Sequence, residues 1–144
     1  MILPDLNILL YAYNPFAKQH DPAREWWESK LAGDEIIGLP NEVILGFVRI
    51  ATHPKLGSAT VPLPAVKRVV LDWLAHPGVR VLLPREEHAA KVIDLMDRAG
   101  VSGALASDAS LAVHAIEHRA TLFSNDADFA RFPGLQWENP LDRR

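Results

Sequence analysis

Short apolar runs alternate with longer amphipathic stretches along the chain. The apolar runs predict four strands and a further edge strand, at Ile2–Leu3, Glu35–Leu39, Val79–Leu83, Thr121–Phe123 and Leu135–Trp137. The amphipathic stretches predict helices at Pro22–Leu31, Asn41–Thr52, Leu63–Ala75, Glu86–Ala99 and Ser107–Arg119. This alternation predicts a mostly parallel sheet of four to five strands with helices on both faces, which is a three-layer α/β/α fold.

The size and composition of the chain predict one globular domain. The 144 residues are 49% hydrophobic and 23% charged, a balance that favours a folded core over disorder. The sequence has no internal repeat and no linker rich in Gly, Ser or Pro. We therefore expect a single domain over residues 1–144, in which residues 141–144 form a frayed tail.

The residue inventory narrows the chemistry and the location. The absence of cysteine excludes disulfides, Cys-ligated zinc and thiol catalysis. No apolar run approaches the ~20 residues that span a bilayer, and the first residues do not resemble a secretion signal, so we expect a cytoplasmic protein with no membrane association. The net charge of -3 provides no broad positive field for a polyanion. An enzyme of this composition that acts on nucleic acid would have to bring metal cations to the phosphate.

Acidic residues follow the predicted strands or begin the predicted helices, where ligands bind in parallel α/β sheets. They are Asp5, Glu42, Asp108, Asp126 and Asp128. Each acid alone is ordinary for a helix start or a turn. Several converging carboxylates repel one another, however, and a divalent cation is the usual way to keep them ionised together. An all-oxygen ligand set suits Mg²⁺ or Mn²⁺, which could activate water for attack on a phosphodiester.

The same acids lie in four sequence blocks whose order and spacing resemble the PIN-domain ribonucleases. The resemblance is to the toxin members of bacterial type II toxin–antitoxin pairs of the VapC kind. The blocks are Asp5-Leu6-Asn7, Asn41-Glu42-Val43 running into Phe47–Thr52, Ser107-Asp108-Ala109 with Leu111-Ala112, and Ser124–Phe129 continuing to Pro140. Together they cover nearly the whole chain.

The resemblance implies an endoribonuclease whose catalytic, metal-binding residues are Asp5, Glu42, Asp108 and Asp126. Asp128 is implied as an additional metal-binding acid, and Asn7 and Ser124 as supporting groups. The resemblance also implies Mg²⁺ or Mn²⁺ as the cofactor, RNA as the substrate, a homodimer, and a cognate antitoxin that covers the active edge.

Several other residues have two interpretations. Arg49 lies two helical turns after Glu42, and it could contact a substrate phosphate or form a surface ion pair. His114-Ala115-Ile116-Glu117-His118 fits a zinc-peptidase motif, but no histidine follows to supply a third ligand, so we favour a partly buried or surface role. The four tryptophans lie in amphipathic stretches, which favours core packing over stacking on RNA bases.

Two other function classes are compatible with the sequence. A haloacid-dehalogenase-like phosphatase also has an Asp after its first strand, but its chemistry requires a second Asp two residues later, where this chain has Asn7. A non-catalytic interaction module would keep the fold and lose the activity. The complete set of four acids argues against that interpretation.

Overall fold

The computed structural model describes residues 1–142, which form a five-stranded sheet between layers of helices. The strands are β1 (Ile2–Pro4), β2 (Ile37–Pro40), β3 (Val79–Leu82), β4 (Thr121–Phe123) and β5 (Trp137–Glu138). Their order in the sheet is β3-β2-β1-β4-β5, and every neighbouring pair is parallel. This confirms the predicted parallel α/β/α architecture.

Six α-helices connect and cover the strands. They are α1 (Leu6–Tyr13), α2 (His20–Ala32), α3 (Asn41–Ala51), α4 (Leu63–Ala75), α5 (His88–Ala99) and α6 (Leu105–Glu117). Short 3₁₀ segments at Pro54–Ala59 and Ala127–Arg131 complete the described secondary structure. The longest helices within residues 1–142 have 13 residues, and none reaches the length needed to cross a bilayer.

The hydrophobic pattern does not predict α1. Its sequence, Leu6–Tyr13, contains Asn7 as the only polar side chain besides the tyrosines, and Ile8 and Leu9 are fully buried. A short helix that is apolar on most sides has no polar face, and periodicity cannot distinguish it from a buried strand. Helix α2 begins at His20, before the predicted start at Pro22, because a proline in the first turn loses no helical hydrogen bond.

The remaining element ends agree with the predictions to within two residues, and both ends of α4 and β4 coincide with them. The predicted frayed tail covers residues 141–144, of which 143 and 144 lie outside the described residues. Leu141 packs partly against the core, and its backbone N–H donates to Asn139 Oδ1 at 3.0 Å.

The tryptophans pack in the core or against it, as the sequence predicts. Trp27 and Trp73 are 1% and 2% exposed, and their rings meet edge to face at 5.8 Å between centroids. Trp26 packs against Phe123 of β4, with ring centroids 4.9 Å apart. Trp137 donates its indole N–H to the carbonyl of Ser124 at 3.1 Å, which ties β5 to the end of β4.

Tyr13, at the end of α1, joins three helices through its hydroxyl group. The indole N–H groups of Trp27 and Trp73 both donate to Tyr13 Oη, at 3.1 and 3.0 Å. Phe47 of α3 meets the Tyr13 ring edge to face at 5.6 Å between centroids. The helix that the sequence pattern misses therefore satisfies two buried donors of helices that the pattern predicts.

We expect Tyr13→Phe to lower the free energy of unfolding by about 2–4 kcal/mol, because two buried indole N–H groups lose their acceptor. Urea unfolding followed by tryptophan fluorescence measures this change. Tyr11→Phe is the matched control, because the Tyr11 hydroxyl has no hydrogen-bond partner within residues 1–142. An equal effect of the two substitutions would contradict the role of the Tyr13 hydroxyl.

Candidate metal centre

The carboxyl-terminal edge of the sheet holds the acids that the sequence singles out. Asp5 directly follows β1, Glu42 is the second residue of α3 after β2, and Asp126 follows β4. Asp108 enters from the first turn of α6. Asp5, Glu42 and Asp108 line one open cleft of about 400 Å³, together with Arg49. Asp126 is not among the residues that line it.

Asp5 is held from both sides. It caps α1, where Oδ1 accepts from the Leu6 backbone N–H at 2.7 Å, and Oδ2 accepts from the Ser124 hydroxyl at 2.7 Å. Asp5 is only 8% exposed. Burial raises the pKa of Asp5, the Ser124 and Leu6 hydrogen bonds oppose the rise, and the nearby Asp126 charge adds to it.

Ser124 connects three parts of the sheet edge and is fully buried. While it donates to Asp5, its hydroxyl oxygen accepts from the Asp126 backbone N–H at 3.0 Å and from the Asn7 amide at 3.4 Å. Asn7 Oδ1 is buried without a hydrogen-bond partner within the described residues. Asn7 and Ser124 are thus in contact with each other, and only Ser124 touches an acid of the site.

Among the acids of the site, Asp108 has the carboxyl group whose pKa is shifted most. Burial raises its pKa to about 6, and the charges of Asp5, Asp126 and Asp128 contribute to the increase. Within residues 1–142 no hydrogen-bond donor pairs with the Asp108 carboxylate. Asp5, Asp126 and Asp128 are therefore close enough to oppose the ionisation of Asp108, and no hydrogen bond within residues 1–142 compensates the charge of Asp108.

Asp126 and Asp128 belong to a turn at the side of the cleft. Asp126 Oδ1 accepts from the Asp128 backbone N–H at 2.9 Å and so begins the 3₁₀ segment Ala127–Arg131. Asp128 forms an ion pair with Arg131 at 3.6 Å, in which both side chains are about half exposed. Such an exposed pair contributes little stability. Asp128 acts on Asp108 through its charge.

Glu42 differs from the other acids because its neighbours are donors. Burial raises the pKa of Glu42, but hydrogen bonds from His114 and Ser110 outweigh burial and hold the pKa below its ordinary value. The Ser110 hydroxyl donates to Glu42 Oε1 at 2.8 Å, and His114 Nε2 lies 3.3 Å from the same oxygen. His88 Nε2 lies 2.8 Å from Ser110 Oγ. Glu42 Oε1 therefore already accepts hydrogen bonds from side chains of α6.

The donor group around Glu42 is not among the sequence predictions. Ser110 and His114 are four residues apart on α6, a spacing that places them on one helix face and could have signalled a pair. The zinc-peptidase motif does not form a unit, because His114 turns to Glu42 while Glu117 pairs with Lys91 at 2.9 Å. His118 follows as the C-cap of α6. The position of His88 at the start of α5 carries no signal in the sequence.

Arg49 is the cationic side chain of the cleft lining. It is exposed, and it forms no ion pair with any residue in the described range 1–142. The surface ion pair considered from the sequence is therefore not formed. A guanidinium without a carboxylate partner beside an acidic cleft can bind an anion that enters it.

The donor set fits a hard divalent cation. The cleft offers carboxylate oxygens from Asp5, Glu42 and Asp108, and each carboxylate keeps lone pairs that no protein donor uses. Mg²⁺ and Mn²⁺ prefer such oxygen ligands, and their charge would relieve the repulsion at Asp108.

The similarities of this chain to known proteins all point to one family. The model of the PIN domain matches residues 2–135. Ribonuclease VapC33 of Mycobacterium tuberculosis is 38% identical over 141 residues, which cover 98% of this chain and 99% of the relative. A toxin–antitoxin complex from Klebsiella pneumoniae contains a chain with a TM-score of 0.65 at 16% identity, covering 97% of this chain and 98% of that chain. Mycobacterium tuberculosis VapC20, a sarcin–ricin loop cleaving toxin, has a TM-score of 0.70 at 16% identity, covering 94% and 99%.

We expect Asp108→Asn to stabilise the metal-free protein at pH 8 by about 1 kcal/mol, discounted for solvent screening at a partly exposed group. Because folding raises the pKa of Asp108 to about 6, its charge destabilises the fold above that pH, and this cost declines as the pH falls from 6 towards the ordinary Asp value of about 4. The gain should therefore fall to about a third of its pH 8 value at pH 4.5. Urea unfolding in EDTA at both pH values measures it.

The control for this experiment is Asp94→Asn, which removes an exposed acid of α5 that pairs with Arg98. It should change the free energy of unfolding by less than about 0.5 kcal/mol at either pH. A loss of stability in Asp108→Asn at pH 8 would show that the Asp108 carboxylate is compensated rather than repelled.

Proposed function

The chain belongs to the PIN-domain family, and from this membership we propose that it is a Mg²⁺- or Mn²⁺-dependent endoribonuclease that acts as the toxin of a bacterial toxin–antitoxin pair. The structural observation that carries the proposal is the cleft at the carboxyl-terminal sheet edge, where Asp5, Glu42 and Asp108 meet. The name of the 38% identical relative, ribonuclease VapC33, supports the same activity.

We assign Asp5, Glu42, Asp108 and Asp126 as the residues that hold the metal, with Asp128 as an additional acid. A divalent cation bound there would polarise the scissile phosphate and lower the pKa of the attacking water. The protein's own contribution is to fix the carboxylates. Ser124 orients Asp5 through a 2.7 Å hydrogen bond, and His114 together with Ser110, whose hydroxyl lies 2.8 Å from Glu42 Oε1, keeps Glu42 ionised.

RNA enters this proposal as the polyanion that the cleft can accept once its acids are neutralised. The attacking water forms a new bond to phosphorus while the bond to the leaving ribose oxygen breaks. Arg49 faces the cleft and has no carboxylate partner within residues 1–142, so we assign it to a non-bridging phosphate oxygen of the substrate.

The alternative functions are less well supported. A haloacid-dehalogenase-like phosphatase needs a carboxylic acid at position 7, but Asn7 stands there, and its amide nitrogen contacts Ser124 at 3.4 Å. The family match also does not favour that class. A non-catalytic module would have no use for an uncompensated, partly buried Asp108.

A cognate antitoxin and a homodimer belong to the same proposal. The similarity to a chain of a toxin–antitoxin complex from Klebsiella pneumoniae supports the antitoxin. The repelling carboxylates would favour a partner that covers this edge with cationic side chains, since such side chains compensate the same charge as a metal. A cytoplasmic location follows from RNA as the substrate.

Asp5→Asn should fold normally and lower the rate of RNA cleavage by about 100-fold or more, because a lost metal ligand removes several kcal/mol of transition-state stabilisation. The rate is measured on a labelled RNA with saturating Mg²⁺, after circular dichroism has confirmed the fold. Asp72→Asn changes an exposed acid of α4 in the same way and should cleave at the wild-type rate. Equal rates for Asp5→Asn and the wild type would remove Asp5 from the catalytic site.

Arg49→Ala should lower kcat/KM for RNA by about 10- to 100-fold, mainly through KM, because a charge-assisted hydrogen bond to phosphate contributes about 1.5–3 kcal/mol. Arg49→Lys should recover part of the loss, since the charge remains and the bidentate geometry does not. Arg68→Ala removes an exposed arginine of α4 outside the cleft and serves as the control. An identical decrease in both alanine variants would indicate a general charge effect.

A further inference from the structure

A second cluster of potential metal ligands lies behind the acidic cleft. Glu42, His88 and His114 each offer one ligand atom, and these atoms lie within 4.8 Å of one another. His88 comes from α5 and His114 from α6, and their ring centroids are 4.4 Å apart. Both histidine residues are buried, at 8% and 1% exposure. Two imidazoles and a carboxylate thus meet at the packed face of two helices.

We propose that Glu42, His88 and His114 form a binding site for Zn²⁺ or a related transition-metal ion, and that occupancy of this site inhibits the nuclease by engaging Glu42. The binding site stands on its own geometry. The inhibition rests on the proposed function, because it requires Glu42 to serve the acidic cleft.

The donor atoms favour a different ion from the one expected in the acidic cleft. Two imidazoles with one carboxylate are a known ligand set of zinc, whereas Mg²⁺ prefers oxygen ligands alone. Zinc lies about 2.0–2.1 Å from nitrogen and oxygen ligands, so two ligands of a tetrahedral site are about 3.3 Å apart. The 3.3 Å between His114 Nε2 and Glu42 Oε1 matches that separation.

Ser110 lies between His88 and Glu42, which are two of the three proposed ligands. Its hydroxyl group is 2.8 Å from His88 Nε2 and 2.8 Å from Glu42 Oε1, so it connects the same two side chains that a cation would bridge. Rotation of the Ser110 side chain about its Cα–Cβ bond would release both ligands. The backbone of α6 need not move for this rearrangement.

The free nitrogens of the two rings set the expected affinity. His88 Nδ1 and His114 Nδ1 are buried and have no hydrogen-bond partner within residues 1–142. In this arrangement each ring carries its proton on Nε2, which donates to Glu42 or Ser110, so cation binding moves that proton to Nδ1 and exposes the Nε2 lone pair. The lack of a supporting acceptor should weaken binding about 10- to 100-fold relative to zinc sites that have one. These features suit a reversible, regulatory site.

Glu42 couples the two sites through its single negative charge. It lines the acidic cleft while its Oε1 faces Ser110 and His114. A carboxylate that already binds Zn²⁺ is a poorer ligand for a second dication, and two dications on one carboxylate repel each other. Zinc should therefore raise the Mg²⁺ concentration needed for cleavage.

The binding half is tested by calorimetric titration of Zn²⁺ into the metal-free full chain, without RNA and without Mg²⁺. We expect saturable binding to the wild type and to His118→Ala, which removes the histidine of the sequence motif that is outside the cluster. His88→Ala should bind at least about 10-fold more weakly. Wild-type affinity in His88→Ala, or no binding to the wild type, would overturn the site.

Glu42→Gln is the second variant, since the Glu42 side chain is 39% exposed and its replacement does not disturb the core. It should weaken Zn²⁺ binding in the same way, and unchanged affinity would overturn the site. Co²⁺ provides an independent readout. Its visible absorption is strong in a tetrahedral site and weak in an octahedral oxygen site, so a strong band should appear with the wild type and be absent from His88→Ala.

The inhibition half is tested by measuring RNA cleavage by the wild type at fixed Mg²⁺ with increasing Zn²⁺. We expect inhibition that excess Mg²⁺ relieves. Zinc binding without inhibition would refute the coupling through Glu42 and leave the site in place. Absence of cleavage under all metal conditions would count against the proposed nuclease function, while the calorimetry would still decide the site.

Discussion

Repulsion between carboxylates at one edge of the sheet is the interaction on which the rest of this structure depends. Parallel pairing of β1 with β2 and β4 places Asp5, Glu42 and Asp126 at the same end of the sheet, and α6 adds Asp108. Burial, and after it the neighbouring acidic charges, raise the pKa values of Asp5 and Asp108, so this arrangement opposes their ionisation. The rest of the fold must therefore supply the stability that holds these charges together.

Two serines divide the edge into halves with opposite electrostatic character. Ser124 holds Asp5 in a group of acids, where burial and neighbouring charge keep the carboxyl pKa high. Ser110 holds Glu42 in a group of donors, where His114 and the hydroxyl keep the pKa low. Within residues 1–142 no hydrogen-bond donor pairs with Asp108 in the first group, whereas Glu42 in the second group is already a stable carboxylate. A cation that enters between them gains most from the half that contains Asp108.

Local sequence signals account for the acids but not for their supports. Asp5, Glu42 and Asp126 could be placed on one edge because the ends of parallel strands coincide, and that rule needs only the order of elements. Helix α1 could not be predicted, because an apolar segment with no polar face has no helical period. His88 could not be predicted either. Its contact with Ser110 depends on how α5 packs against α6, which is a tertiary arrangement without a local pattern.

Glu42 belongs both to the acidic cleft and to the cluster with His88 and His114. Toward the cleft it adds a carboxylate to a set of oxygen ligands, and toward α6 it completes a pair of buried imidazoles. A purely structural pair of histidines would be expected to satisfy both ring nitrogens, yet both Nδ1 atoms are buried without partners in residues 1–142. Leaving two buried acceptors unsatisfied costs stability. The fold tolerates this cost in the two histidines beside Glu42, the residue that also belongs to the proposed catalytic site.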